Sequence, residues 1–220
     1  MSKEKKVGFP ENIDVQHREK QNYKGFYQVF IKRLVDIVVS LLALIVLSPL
    51  FLVLAIIIVI DDKGPVFYKS KRIGRDFKEF DMYKFRTMKV NSPNIVNEDG
   101  STYNSKDDPR VTKFGRWLRE TSLDELAQFI NVLKGDMSLI GPRAGDVESK
   151  DTYAEDEKAK TLVRPGISGL TQAYYRNGLG VREKRLYDAW YAHNVTIWMD
   201  IRIIFRTIKT VFCRENIYTN

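Results

Sequence analysis

The chain has 220 residues and a formal net charge of +8, enough for one domain with its own core and too few for a pair of nucleotide-binding domains. The positive balance implies an anionic partner, whether nucleic acid, lipid headgroups or a phosphorylated substrate. Cys213 is the only cysteine, and His17 and His193 are the only histidines, which excludes an internal disulfide and leaves a histidine metal site or a Ser-His-Asp triad one histidine to work with.

Residues 1–22 are polar and charged and read as an N-terminal tail. Residues 37–60 are almost wholly apolar, interrupted by Ser40, Ser48 and Pro49. As one helix they would reach about 36 Å, enough for a hydrocarbon core of about 30 Å. The run is too long for a signal peptide and no cleavage pattern follows it. Two features oppose a simple span. Lys20, Lys24, Lys32 and Arg33 precede the run and Lys63, Lys69, Lys71, Arg72 and Arg75 follow it, so both ends favour the same cytoplasmic side. Pro49 sits mid-run and costs about 3 kcal/mol in an uninterrupted helix. Each half is about 16 Å long and cannot cross alone. A helix-break-helix anchor over residues 23–61 that dips in and returns satisfies both features, with Ser48 bonding a carbonyl freed by the proline. A single kinked span stays open. Asp36 at the entry is placed to pair with Lys32 or Arg33.

Residues 62–220 read as the cytosolic part. Asp61-Asp62-Lys63-Gly64-Pro65 is a turn, and Val66-Phe67-Tyr68 and the run from Phe80 to Phe85 read as short strands around Gly74. Residues 91–109 read as a long loop. From Arg116 onward Leu123, Leu126, Ile130 and Leu133 recur at helical spacing. Ser122 with Glu125, and Thr121 with Asp124, match a capping box, and Gly135 closes the helix. Gly141-Pro142-Arg143 and Arg164-Pro165-Gly166 are rigid turns that each hold an arginine. Beyond Trp190, the residues Ile197, Trp198, Ile201, Ile204, Phe205, Ile208, Val211 and Phe212 share one helical face, and Arg202, Arg206 and Lys209 line another. That pattern suits a helix lying in a headgroup layer or a packed helix with one solvated side.

Asp124 and Glu125 are adjacent carboxylates in an expected first helical turn. The helix dipole alone explains them; the alternative is a magnesium site on which phosphate oxygens also meet, with one carboxylate attacking phosphorus. Lys84, Arg86, Arg110, Arg119, Arg143 and Arg164 sit in short turn-bounded motifs and are candidate phosphate contacts. No Walker loop, dinucleotide glycine pattern or D-x-D motif is present.

The motifs together resemble the bacterial sugar transferase family, the small monotopic phosphoglycosyl transferases. The resemblance runs in order through Lys32-Arg33-Leu34-Val35-Asp36, Ser48-Pro49, Gly64-Pro65-Val66-Phe67, Arg72-Ile73-Gly74-Arg75 and Lys84-Phe85-Arg86-Thr87-Met88. It continues through Ser122-Leu123-Asp124-Glu125-Leu126, Asn131-Val132-Leu133-Lys134-Gly135-Asp136-Met137-Ser138, Gly141-Pro142-Arg143 and Arg164-Pro165-Gly166-Ile167-Ser168-Gly169.

It implies a mixed α/β, mostly helical fold: a re-entrant membrane helix broken at Ser48-Pro49, plus a small cytosolic catalytic domain with short strands and interfacial amphipathic helices. It implies a bacterial inner-membrane enzyme of surface glycan assembly, capsule, exopolysaccharide or lipopolysaccharide, with its active site at the cytoplasmic face. Asp124 would attack a UDP-sugar, release UMP and carry a phosphosugar to polyprenol phosphate. Glu125 would help bind Mg2+, and Lys84, Arg86, Arg119, Arg143, Gln172, Arg176 and Asp188 would serve the substrates. A nucleic-acid partner is not expected, and a homo-oligomer is left open. The family's Gly-Pro-Arg-Pro reads Gly141-Pro142-Arg143-Ala144 here, and its Trp-Ala-Gln-Val-Asn-Gly-Arg segment reads Leu170-Thr171-Gln172-Ala173-Tyr174-Tyr175-Arg176, which leaves the sugar open. The rival is a single-span protein with a basic, non-catalytic binding domain; it tolerates Asp124→Asn and releases no UMP.

Overall fold

The computed structural model describes residues 22–93, 95, 103, 105, 107–175 and 178–212. The tail before residue 22, much of the 91–109 loop and Arg176 lie outside the described residues.

A π-helical turn (Tyr27–Ile31) leads into α1 (Lys32–Val46), and α2 (Ser48–Asp61) starts directly after Leu47. The axes bend by 61° at this break. Pro49 lies in the first turn of α2, where it has no intrahelical N–H to lose. Ser48 Oγ donates to the Ile45 carbonyl at 2.8 Å, so the expected carbonyl capture is present. Among the described residues no single helix is long and apolar enough to cross a membrane; the bent pair together is.

The polarity of α1 is inverted. Gln28, Lys32, Asp36 and Ser40 recur every fourth residue and so share one face, which is buried. Leu34, Val38, Leu41, Leu42 and Ile45 between them are exposed, Leu34 to 64%. In α2 only Leu54 and Ile58, one turn apart, are buried, while Leu52, Val53, Ile56 and Ile60 stand out. The helix pair thus hides the polar stripe of α1 and presents an apolar surface.

β1 (Phe67–Ile73) and β2 (Glu79–Phe85) form an antiparallel hairpin, in register from Phe67 opposite Phe85 to Ile73 opposite Glu79. The first strand was expected to be short and instead runs on through Lys69, Ser70, Lys71 and Arg72. Its polar residues hide the strand signal because much of this strand is solvent-facing. β3 (Ser138–Ile140) pairs in parallel with β5 (Gly166–Ser168), and β4 (Gly145–Asp146) joins β1 at Arg72 and Ile73.

The helix expected from Arg116 onward is divided. α3 (Lys113–Thr121) ends at Ser122, which is left-handed at φ 57°; a 3-10 turn (Leu123–Ala127) follows, then α4 (Gln128–Lys134), closed by Gly135 at φ 92°. Neither capping box forms: the Ser122 N–H donates to the Arg119 carbonyl, and Thr121 Oγ1 donates back to the Trp117 carbonyl. The division serves two clusters. Leu123, Leu126 and Ala127 pack with Leu54, Ile58, Phe85 and Leu118, whereas Val132 turns to Phe80, Met82 and Met137.

The third cluster is built from Ile140 and Val163 with residues of α5 (Leu170–Tyr174), α6 (Val181–His193) and α7 (Ile197–Phe212), including Tyr191, Ala192 and Ile203. α7 is also inverted: Asp200, Ile203 and Thr210 are buried, while Trp198, Ile204, Phe205 and Ile208 are exposed, Phe205 to 70%.

Asp36 does not hydrogen-bond its sequence neighbours. It accepts from Ser138 Oγ at 3.1 Å and from the Leu139 N–H at 3.0 Å. Lys32 pairs with Asp200, and Arg33 donates to the Val132 and Leu133 carbonyls at the end of α4. The two arginine-bearing turns meet backbone to backbone. The Gly166 N–H donates to Pro142 and the Gly141 N–H to Ser168, each at 2.9 Å. A Cβ on Gly141 would sit 2.4 Å from the Arg164 carbonyl oxygen, so only glycine fits.

Candidate active site

The end of α3 delivers the carboxylate pair. Because Ser122 terminates that helix in a left-handed conformation, the chain reverses into the 3-10 turn with Asp124 and Glu125 in its first turn. β2 brings up the counter-charge from the other side. Lys84 Nζ lies 2.7 Å from Glu125 Oε1 and 3.8 Å from Asp124 Oδ2. Arg119, one turn before the reversal, donates through Nε to Thr87 Oγ1 at 2.9 Å, and its charge bears on Asp124.

Asp124 is buried. Its carboxyl is pushed up to about 6 in all: burial raises it most, Lys84 pulls it down, the Glu125 charge raises it and Arg119 lowers it. At neutral pH it is therefore an ionised carboxylate with little hydration, flanked by two cations, which is a competent nucleophile towards phosphorus. Cations of this kind can neutralise phosphoryl oxygens.

Among the described residues no group of three or more His, Cys, Asp or Glu side chains forms a cage for a metal ion. The Asp124–Glu125 pair offers two carboxylates, which fits Mg2+, since that ion keeps several waters and binds through one or two carboxylates together with substrate phosphates.

The remaining expected site residues are placed elsewhere. Arg86 donates through Nε to the Pro65 carbonyl at 2.7 Å and through Nη1 to Asp62 Oδ2 at 2.5 Å. Its guanidinium fastens the end of α2 to β2 and stays out of the carboxylate cluster. Arg110 is held by Asp108 through Nε and Nη2, and Arg164 donates to the Gly135 carbonyl.

Arg143, Gln172 and Asp188 belong to a second polar group. Fully buried Asp188 accepts from the Arg143 N–H at 3.1 Å and from Thr171 Oγ1 at 3.0 Å, and pairs with Lys160 at 3.3 Å. Burial raises its carboxyl and Lys160 opposes the rise. Thr171 Oγ1 also approaches Gln172 Oε1 at 3.2 Å. A shallow recess lies here, lined by Gly74, Arg143, Tyr153, Lys160 and Thr161. Gly145 pairs with Ile73 and Lys84 with Tyr68, two β1 positions five residues or roughly 17 Å apart along the strand.

Two residues escaped the sequence reading. Lys160 lies in a segment without a motif, and only the fold reveals its pairing with Asp188. Thr87 lay inside a quoted motif, but its contact with Arg119 is made 32 residues away.

A family model described as bacterial sugar transferase matches residues 27–214. The undecaprenyl-phosphate galactose phosphotransferase of Salmonella typhimurium is 40% identical over 200 residues, covering 86% of this chain and 42% of that protein. The UDP-glucose:undecaprenyl-phosphate glucose-1-phosphate transferase of Klebsiella pneumoniae is 43% identical over 202 residues, covering 88% and 42%. The exopolysaccharide production protein ExoY of Sinorhizobium fredii is 35% identical over 198 residues, covering 85% and 88%. The chain thus spans about two-fifths of the length of the first two relatives and most of the third.

Proposed function

The chain belongs to the bacterial sugar transferase family, and from that membership and the carboxylate–cation cluster we propose that it transfers a sugar 1-phosphate from a UDP-sugar to a polyprenol phosphate. The observation that carries the reading is Asp124, a buried carboxylate held ionisable near pH 6 between Lys84, Arg119 and Glu125.

The reaction runs in two displacements. An Asp124 oxygen attacks the phosphorus next to the sugar, the bond to the UMP oxygen breaks, and UMP leaves. A phosphate oxygen of the lipid then attacks the same phosphorus and Asp124 departs as a carboxylate, giving a polyprenol diphosphate sugar. One residue thus serves two dissimilar substrates in turn. Lys84 and Arg119 neutralise the donor oxygens, and Glu125 takes the proton where the acceptor phosphate carries one. Asp124 and Glu125 would hold Mg2+, which supplies charge neutralisation at the phosphates.

The anchor reading is re-entrant. Basic flanks on both sides of α1 and α2, the 61° bend and the buried polar stripe of α1 support entry and exit through one leaflet of the inner membrane. The exposed apolar face of α7 suits the headgroup layer of the same leaflet. The carboxylate cluster then lies at the cytoplasmic boundary, where soluble donor and lipid acceptor meet. The relatives' names support undecaprenyl phosphate as the acceptor class and exopolysaccharide production as the setting.

A panel of UDP-sugars with polyprenol phosphate and Mg2+ tests the activity. At least one donor releases UMP; no release from folded protein across the panel contradicts the reading.

A further inference from the structure

Thr87 lies just beyond β2, three residues after Lys84, and is buried. Both ends of α3 are tied to it. At the start, the Thr112 N–H donates to the Thr87 carbonyl at 3.0 Å, while Thr112 Oγ1 caps the helix by accepting from the Gly115 N–H at 2.9 Å. Gly115 then presses against the same peptide: a Cβ there would lie 2.0 Å from the Thr87 carbonyl oxygen and 2.7 Å from its carbonyl carbon. No other residue admits this approach. One turn later, on the same face of the helix, Arg119 Nε reaches Thr87 Oγ1.

The backbone contact therefore sets the distance between α3 and the strand, and the side-chain contact sets the guanidinium. A guanidinium is a rigid planar fork, so fixing Nε fixes the plane and direction of its amino groups. Without the hydroxyl, Arg119 keeps its charge and its helix but loses the contact that holds its Nε.

We propose that Thr87 is a positioning residue that orients Arg119 for phosphate contact at the Asp124 centre, with Gly115 permitting the approach. The inference rests on the transferase reading for its catalytic consequence, but its anion-binding arm can be read without turnover. Thr87→Val preserves shape and removes the hydroxyl, whereas Thr87→Ser preserves the hydroxyl.

The test measures binding of inorganic pyrophosphate and UMP, and steady-state UMP release, for wild type, Thr87→Val, Thr87→Ser and Arg119→Lys, each checked for thermal unfolding. Thr87→Val weakens pyrophosphate binding and lowers kcat/KM by about tenfold to a hundredfold, with an unfolding temperature close to wild type. Thr87→Ser restores most of both, and Thr87→Val adds little in the Arg119→Lys background because the two act through one contact. Unchanged pyrophosphate affinity in Thr87→Val, a loss in Thr87→Ser as large as in Thr87→Val, or full additivity with Arg119→Lys overturns the proposal. Wild-type protein that binds pyrophosphate in a Thr87-dependent way but releases no UMP from any donor contradicts the transferase reading and leaves the positioning role standing.

Discussion

Lys32, in the first turn of α1, is ion-paired with Asp200 of α7, 168 residues further along the chain, and both side chains are buried. Tyr27 and Tyr191 also donate their hydroxyls to Asp200. The two inverted helices are thus joined through their hidden polar faces while their apolar sides stay outward. This fixes α1 and α7 relative to each other.

Removing one partner leaves the other buried and unpaired. Lys32→Met is expected to destabilise the protein by about 3 kcal/mol or more, lowering Tm by roughly 10 °C. The double variant Lys32→Met with Asp200→Asn recovers a large part of that loss. Thermal unfolding in detergent measures both, and a Tm for Lys32→Met within a degree or two of wild type contradicts the assignment.

The pH dependence follows from Asp124. In the proposed reaction only the carboxylate attacks, so UMP release is expected to rise as pH climbs through about 6. Lys84 is the largest influence lowering that value. Lys84→Met therefore moves the acid limb of the kcat/KM profile upward, by about one pH unit, in addition to reducing its plateau. A limb that stays in place or moves down removes Lys84 from this role.

The same burial has a cost in stability. The folded state holds the Asp124 proton more tightly than the unfolded chain, whose carboxyl titrates near 3.8. Stability from this group is therefore present at low pH and is lost as pH rises from about 4 through about 6. Asp124→Asn removes that penalty and is expected to stabilise the protein by about 2 kcal/mol at pH 8, with the gain vanishing near pH 4. It abolishes UMP release throughout. Thermal unfolding at the two pH values distinguishes this from a generally damaged variant.

Topology gives an independent check. In a Cys213→Ser background, single cysteines at Lys24 and Lys69 flank the bent pair. The re-entrant reading predicts that a membrane-impermeant thiol reagent labels both from the cytoplasmic side only. Labelling of the two positions from opposite sides contradicts it.

The helix break was legible because proline acts locally: Ser48 and Pro49 announce both the bend and the captured Ile45 carbonyl. The carboxylate pair was legible from motif order, and Lys84 and Arg119 with it. The break at Ser122 was not, because Leu123, Leu126, Ile130 and Leu133 keep helical spacing across it. Packing on two separate clusters overrides that local preference. The partners of Asp36 and Lys32 were equally hidden, since Ser138, Leu139 and Asp200 lie more than a hundred residues away. The contacts of Arg86 with Asp62 and Pro65 were also hidden, because both partners lie more than twenty residues away.

The central claim is that Asp124 carries the phosphosugar. Purified protein incubated with its UDP-sugar and Mg2+, without lipid acceptor, then quenched and digested, is read by peptide mass spectrometry. The account predicts release of UMP together with a sugar-phosphate mass increment on the Asp124 side chain that disappears when polyprenol phosphate is added. An adduct on another residue, or product formation with no adduct at any time, contradicts it.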